Sequence, residues 1–378
     1  MNNLSIKIKI LSFLAAVSTL SASSLSIFGE AAENTSQSNP VVNQSVETEA
    51  QAQAETEEIK DIKISIDKKN IGILEKKPEA FYMVADVWHD AFGYKYGSEK
   101  TEGSYMNNFV NNTFLKYDTF VYMHENKCIS MLTLIPTQLK TNDGVIKNGY
   151  YVYAVGTKNE YRNNGITTLM LDYVDEYAKS NGYDFRILNP DDPPSWLRNF
   201  YQKRGYEFAH FRRITMTPKE IVRAAEDAEV LQYQDGLSAK DLFNCRKNNL
   251  ENKTGFVRWS EKELESVQAD YKLAYKNYHE LYFGDWQYAI VRFGKPNSMT
   301  IVVKEFYIKD ENKKSFFKTL QTLFPEKTIV FETPDSDEFS NFFDKSYDLK
   351  VLSMFNIKDS EDLRTKSNYP IYFNFGMD

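Results

Sequence analysis

The stretch from Tyr151 to Tyr177 constrains this chain more than any other. Tyr151-Val-Tyr-Ala-Val155 is a run of aromatic and β-branched residues that predicts a buried strand. A polar loop follows, and from Gly165 onward Ile166, Leu169, Met170, Tyr173, Val174 and Tyr177 recur three and four apart, the spacing of one helical face. Such a chain must deliver a helix N-terminus just past the end of a strand. Unpaired N–H groups and the positive end of the helix dipole gather there, so the place suits an anion. Gly165 permits close approach to the backbone, Asn163 and Asn164 tolerate left-handed dihedrals, and Arg162 adds a fixed positive charge. Strand, loop and helix with a glycine also occur as plain architecture, and the residues by themselves leave both readings open.

The flanking segments predict an α+β succession. Asp61 to Ile66 alternates as a first strand would, and Pro78 opens a helix whose Phe81, Val84, Ala85, Trp88 and Phe92 share a face. Phe120–Met123 and Cys128–Ile135 predict a hairpin about a turn at His124–Lys127. After the 151–180 unit come a stop at Gly182, a strand over Tyr183–Leu188, a break at Pro190–Pro194, a short helix over Ser195–Arg204 and a strand from Tyr206 to Met216.

Arg162-x-x-Gly165-x-Thr167 resembles the Arg/Gln-x-x-Gly-x-Gly/Ala signature of the GNAT acetyltransferases, with Thr167 where that family has Gly or Ala. Asn199-Phe-Tyr-Gln-Lys-Arg-Gly-Tyr206 is similar to the family's Phe/Leu-Tyr-x-Lys-x-Gly-Phe segment, and the succession over 61–218 is the family's own. The resemblance implies a GNAT-like mixed sheet flanked by helices, with acetyl-CoA as co-substrate. It implies that Val155, Gly156 and Thr157 meet the pantetheine arm, and that Arg162, Asn163, Asn164, Gly165, Ile166 and Thr167 hold the pyrophosphate. Tyr201 then stands beside the sulfur as the catalytic hydroxyl, able to protonate the departing thiolate. Without the resemblance, Trp196, Leu197, Phe200 and Tyr201 are equally an apolar helix face. Direct attack by an amine needs positioning and deprotonation, and no metal is implied. The general base is not readable. Asp86, His89 and Glu125 lie in the right half, and His89, at the edge of an apolar face, has an ordinary structural reading.

At 378 residues the chain has room for two domains, and its net charge of −7 comes without a basic, aromatic-interleaved patch of the kind that binds nucleic acid. Lys7 and Lys9 precede an uncharged run over Ile10–Phe28, with Gly29-Glu-Ala31 as a small-residue cleavage site, so residues 1–31 are expected to be a signal peptide. An uncleaved signal anchor is the alternative, and a cytoplasmic protein follows if the signal is unused. Residues 32–60 are mostly Ser, Thr, Asn, Gln, Ala and Glu, without aromatics or apolar periodicity, the composition of a disordered acidic linker. Export would permit a Cys128–Cys245 disulfide, although Cys128 in its apolar strand is better read as a small core residue.

Residues 219–378 predict a capping box at Ser260–Glu263 with a helix to Tyr278, a hairpin of Trp286–Phe293 and Met299–Ile308 about Gly294–Asn297, a helix to Phe324 and a strand at Thr328–Glu332. The layout resembles a second, degenerate GNAT-like domain, as in two-domain bacterial acetyltransferases. Its loop Lys309-Asp-Glu-Asn-Lys-Lys314 carries no glycine and no Arg-x-x-Gly. The apolar tail Tyr369–Asp378 is expected to dock as a strand, and in some relatives such a terminal carboxylate serves as the base, which makes Asp378 a candidate. The expected activity is an acetyl-CoA-dependent N-acetyltransferase acting on a primary amine of a small molecule or peptide. The competing reading is a secreted or surface-tethered binding module that has kept the fold and lost the reaction, since acetyl-CoA is an intracellular metabolite.

Overall fold

The computed structural model describes residues 62–92, 110–141, 144–190, 195–253, 255–274, 278–293, 299–334, 342–343 and 348–357. From Lys63 onward the described residues belong to one compact unit. The expected signal peptide, the linker and the docked tail with Asp378 all lie outside the described residues.

Alternation at Asp61–Ile66 does not produce a strand. Residues 62–67 are irregular, and the first strand is β1 (Ile71–Ile73). The period-2 pattern is satisfied differently, with Ile64 and Ile66 packing on the smaller core cluster without joining the sheet. Helix α1 (Pro78–Phe92) follows with Phe81, Val84, Ala85 and Trp88 of the expected face buried, whereas Phe92, at the helix end, is 39% exposed. Strands β2 (Asp118–His124) and β3 (Lys127–Lys140) form the predicted hairpin, and its two-residue turn has both Glu125 and Asn126 at positive φ. Then come β4 (Ile146–Thr157), α2 (Ile166–Ser180), β5 (Phe185–Leu188), α3 (Ser195–Gln202), β6 (Glu207–Met216) and α4 (Pro218–Ala224).

The second half contains β7 (Gln234–Asp235), α5 (Ala239–Leu250), β8 (Val257–Arg258), α6 (Glu261–Ala274), β9 (Tyr278–Gly284), β10 (Gln287–Phe293), β11 (Thr300–Tyr307), α7 (Lys313–Leu323), β12 (Thr328–Pro334) and β13 (Asp348–Ile357). The capping box is present, with Ser260 N–H donating to Glu263 Oε2 at 3.0 Å. Helix α6 gives way sooner than periodicity predicts, because Tyr278 begins a strand that pairs with β10. Strands β9 and β13 and helix α5 were not legible as elements of this half.

All these strands join one hydrogen-bonded sheet in the order β1-β2-β3-β4-β5-β13-β6-β12-β11-β10-β9-β7, with β8 on β3. Its only parallel contacts are β4 with β5 and β11 with β12, one pair in each half among the described residues. Between the two pairs the closing strands are exchanged. Strand β6 of the first half lies against β12, β13 of the second lies against β5, and β6 and β13 pair with each other. Side chains of β4 alternate between two cores. Tyr151 and Tyr153 face the large cluster with Trp88 and Trp259, while Tyr150 and Val152 face the smaller one with Ile166 and Met170 of α2.

A buried ion pair ties α5 to the second half of the sheet. Arg246 donates through Nε to Glu305 Oε1 at 3.0 Å, and Tyr288 Oη donates to the same oxygen at 2.6 Å. Cys128 and Cys245 are both buried and free, so the disulfide that export would have permitted is not formed. Burial pushes the Cys128 thiol up to about 12, which suits the core role expected of it. Among the described residues, no helix is long and apolar enough to cross a membrane.

Candidate active site

Strand β4 parts from β5 halfway along. Their pairing runs from Gly149 with Phe185 to Tyr151 with Ile187 and stops, although β4 continues to Thr157. On its other edge β3 pairs Thr133 with Tyr153 and Met131 with Gly156, so Ala154 and Val155 together stand opposite Leu132. That is a β-bulge, and it holds Ala154 at φ +54. A non-glycine residue there is strained, and such strain persists only where surrounding structure over-determines it. Strand β5 itself ends at Leu188, so around this bulge the β4 backbone from Val152 to Thr157 pairs with no strand on its β5 side among the described residues, and that open edge is one wall of a wedge. An extended ligand can add to that edge as a strand would.

At the end of the wedge the loop turns into α2 through two left-handed residues, Asn163 at φ +61 and Gly165 at φ +78, with Gly165 at the N-cap. Asn164 is not left-handed. It serves through its amide, with Nδ2 donating to the Tyr161 and Arg162 carbonyls at 3.0 and 3.3 Å. Arg162 Nε donates to the Thr157 carbonyl at 3.2 Å, which ties its arm to the end of β4. The N–H groups of the first turn, from Ile166 onward, have no intrahelical acceptor.

Thr167, the departure from the family pattern, has a local explanation. Its hydroxyl meets Thr157 Oγ1 at 2.9 Å, and Thr157 Oγ1 meets Ser130 Oγ at 2.8 Å. Ser130 Oγ also lies 2.8 Å from the Gly156 carbonyl as its donor. The extra hydroxyl is thus absorbed in a chain of three that braces loop to sheet, and Ser130, a polar residue in an apolar strand, is the signal the sequence offered for it. Gly156 is needed for closeness, since a Cβ there would stand 2.9 Å from Ala91 Cβ on α1.

Tyr201 projects from α3 into the cluster that contains Ile166 and Met170, with Val155 packed on its edge. It is 6% exposed, and burial pushes its phenol up to about 12, with Arg204 pulling the other way. A tyrosine so shifted stays protonated through the working pH range and can donate a hydrogen bond but not act as a base. The apolar-face reading and the functional one coincide here, because packing against Phe200 and Tyr206 at 5.2 and 5.4 Å is what holds the hydroxyl.

The base candidates fare differently. Asp86 and His89 are exposed, with Asp86 3.8 Å from Lys158, and Glu125 sits in the β2–β3 turn beside His124. Sequence reasoning missed Asp90, whose carboxylate accepts from the Asn159 backbone N–H and locks the C-terminus of α1 to the start of the loop. It also missed Arg204, which stacks 3.9 Å over Phe200 and donates to Thr168 in the first turn of α2, joining the two helices that carry the loop and Tyr201.

The second half repeats the geometry without the loop. Pairing of β11 with β12 ends at Val303 with Phe331, and a bulge at Lys304 follows at once. There the wedge position holds a buried ion pair, Lys304 Nζ to Glu332 Oε2 at 3.0 Å. The connection into α7 has no left-handed residue.

Residues 75–209 match the sequence model of the acetyltransferase (GNAT) domain. The chain carries a GNAT acetyltransferase domain. Solved structures similar to this acetyltransferase include a probable N-acyltransferase from Enterococcus faecalis, at 15% identity over 76% of this chain and 71% of that one, with a TM-score of 0.60. A GCN5-related N-acetyltransferase from Kribbella flavida matches at 14% identity over 77% and 72%, with a TM-score of 0.58. Eis1 from Mycobacterium abscessus matches at 13% identity over 76% and 74%, with a TM-score of 0.55. At these identities the likeness is one of fold, and it extends well beyond the GNAT domain into the second half. No curated protein matches the acetyltransferase by sequence.

Proposed function

We propose that the acetyltransferase moves an acetyl group from acetyl-CoA to a primary amine of a small molecule or peptide by direct attack. The observation that carries this reading is the β4 wedge, open along one backbone edge and ending at an anion-accepting helix start. Acetyl-CoA supplies an activated acyl thioester with a thiol leaving group. The chain's residues do the rest. Backbone groups about Val155 and Gly156 offer strand-like hydrogen bonds to the pantetheine arm and a donor to a developing oxyanion. Arg162 and the N–H groups around Asn163, Gly165, Ile166 and Thr167 take the pyrophosphate. Tyr201 donates its phenolic hydrogen toward the sulfur.

Titration calorimetry of the full chain with acetyl-CoA is expected to show micromolar binding, weakened about tenfold or more in Arg162→Ala, the range for a hydrogen bond to a charged group. An absence of heat in the unaltered chain would refute the assignment. A screen of polyamines, amino sugars and peptide N-termini then selects the acceptor class.

Export is a separate proposal, supported by Lys7 and Lys9 ahead of the uncharged Ile10–Phe28 run, and an exported enzyme would depend on acetyl-CoA reaching it from the cell. N-terminal sequencing of fractionated cells is expected to find a chain beginning near residue 32 outside the membrane. An intact Met1 in the cytosol overturns that placement.

A further inference from the structure

We propose that residues 63–67 are a strap that holds the anion-accepting loop in its binding shape, with Ile64 and Ile66 as its positioning residues. The proposal rests on the acetyl-CoA reading of that loop. The strap precedes the GNAT-matched stretch, which begins at residue 75, so its role is not implied by the family match.

Asn163 is held at φ +61, a region a non-glycine residue keeps only where its surroundings fix it, and Gly165 follows two positions on in the same region. Asn164, between them, is the fixing point. Its Nδ2 occupies the Tyr161 and Arg162 carbonyls, which would otherwise be free to face and repel an incoming anion. Its Oδ1 accepts from the Ile64 backbone N–H at 3.2 Å, a bond that spans one hundred residues of sequence. The orientation of the amide is set by both ends together, since an Asn with its oxygen toward Ile64 must point its nitrogen at the loop carbonyls.

Ile66 acts on the next residue. Its Cδ1 lies 3.5 Å from where a Cβ on Gly165 would stand, so the strap lies close over the N-cap and leaves no more than a side chain's room there. Both isoleucines pack on the cluster that includes Ile166 and Met170, which fixes strap and helix start to the same core. Beyond Ile66 the chain is pinned again. The Asp67 N–H donates to Tyr122 Oη at 3.0 Å, and Lys68 pairs with Glu176 on α2. The alternating isoleucines that predicted a strand therefore serve a helix cap instead.

The test uses the full chain in three forms. Ile64→Ala keeps the backbone N–H and loses packing, Ile64→Pro loses both, and Ile66→Ala uncovers Gly165. Acetyl-CoA affinity is expected to fall about tenfold in Ile64→Pro and a few-fold in each alanine form, in line with one lost hydrogen bond and one lost apolar contact. KM for acetyl-CoA should rise while kcat holds, and hydrogen exchange over residues 162–167 should quicken in the ligand-free protein. A purely structural strap would instead lower the melting temperature with affinity and local exchange unchanged, and that result overturns the proposal. If the unaltered chain binds no acetyl-CoA, both this inference and the functional reading fall; if it binds and the three variants bind equally, only the strap does.

Discussion

A Tyr201→Phe chain is expected to bind acetyl-CoA as tightly as the unaltered protein and to turn over about a hundredfold more slowly, the lower end of what a positioned proton donor contributes. The substitution removes one oxygen from a ring that is 6% exposed and packed by Phe200 and Tyr206, so the helix and its cluster should survive intact. What is lost is a donor with an unusually high proton affinity. With the phenol pushed up to about 12, its hydrogen is present at every pH an assay would use. Its natural part is to stabilise a departing thiolate by a strong hydrogen bond, since full transfer to a thiolate of pKa about 8.5 runs uphill. The sign of the pH dependence follows. Tyr201 is in its active, protonated form below about 12 and loses it only above, so the kcat profiles of the two proteins should have the same shape below about pH 10 and differ in height alone. Steady-state kinetics across pH decide it, and equal turnover in the two proteins would remove Tyr201 from the reaction.

The second large effect concerns the half without the loop. Arg246→Met is expected to destabilise the fold by about 3–5 kcal/mol, because it leaves the Glu305 carboxylate buried without its cation. Arg246 and Glu305 are 2% and 5% exposed as side chains, so water cannot take over the vacated role. Tyr288 would remain as a donor to Glu305, which satisfies one lone pair and not the charge. The double variant Arg246→Met/Glu305→Met should recover much of the loss, since a well-packed apolar pair replaces a buried ionic one at little cost. Urea denaturation of the single and double variants measures both. Full stability in Arg246→Met would refute this account of the buried pair.

Comparison of the two halves also explains why the site occurs once. Both have a parallel strand pair, a bulge past the last paired residue, and a strand that runs on beyond the parallel pairing while still paired on its other edge. In the first half the continuing strand ends in two left-handed residues and a helix start. In the second, Lys304 and Glu332 occupy the divergence and the connecting turn carries Asp310 and Glu311 at the head of its helix, which would repel an anion. The missing Arg-x-x-Gly at 309–314 was visible in the sequence, whereas the ion pair at the divergence was not. Lys304 and Glu332 are far apart along the chain and are brought together only by the parallel register of β11 and β12.

Much of the loop was legible because its determinants are local. Apolar residues three and four apart announce a helical face, a glycine announces a left-handed cap, and Arg162 stands three positions before it. Each of these interactions spans at most a few residues, so the sequence alone determined the strand, the loop, the start of α2 and the place of Tyr201 on a short helix. Tertiary structure decided what no local pattern encodes. The bulge at Ala154–Val155 depends on how β3 and β4 slide into register, the exchange of β6 and β13 depends on which sheet edge each strand finds, and the Ile64–Asn164 bond joins positions one hundred residues apart. An alternating segment such as 61–66 needs only a surface to bury every second side chain, and whether that surface is a sheet edge or the cap of a helix is settled by the rest of the fold.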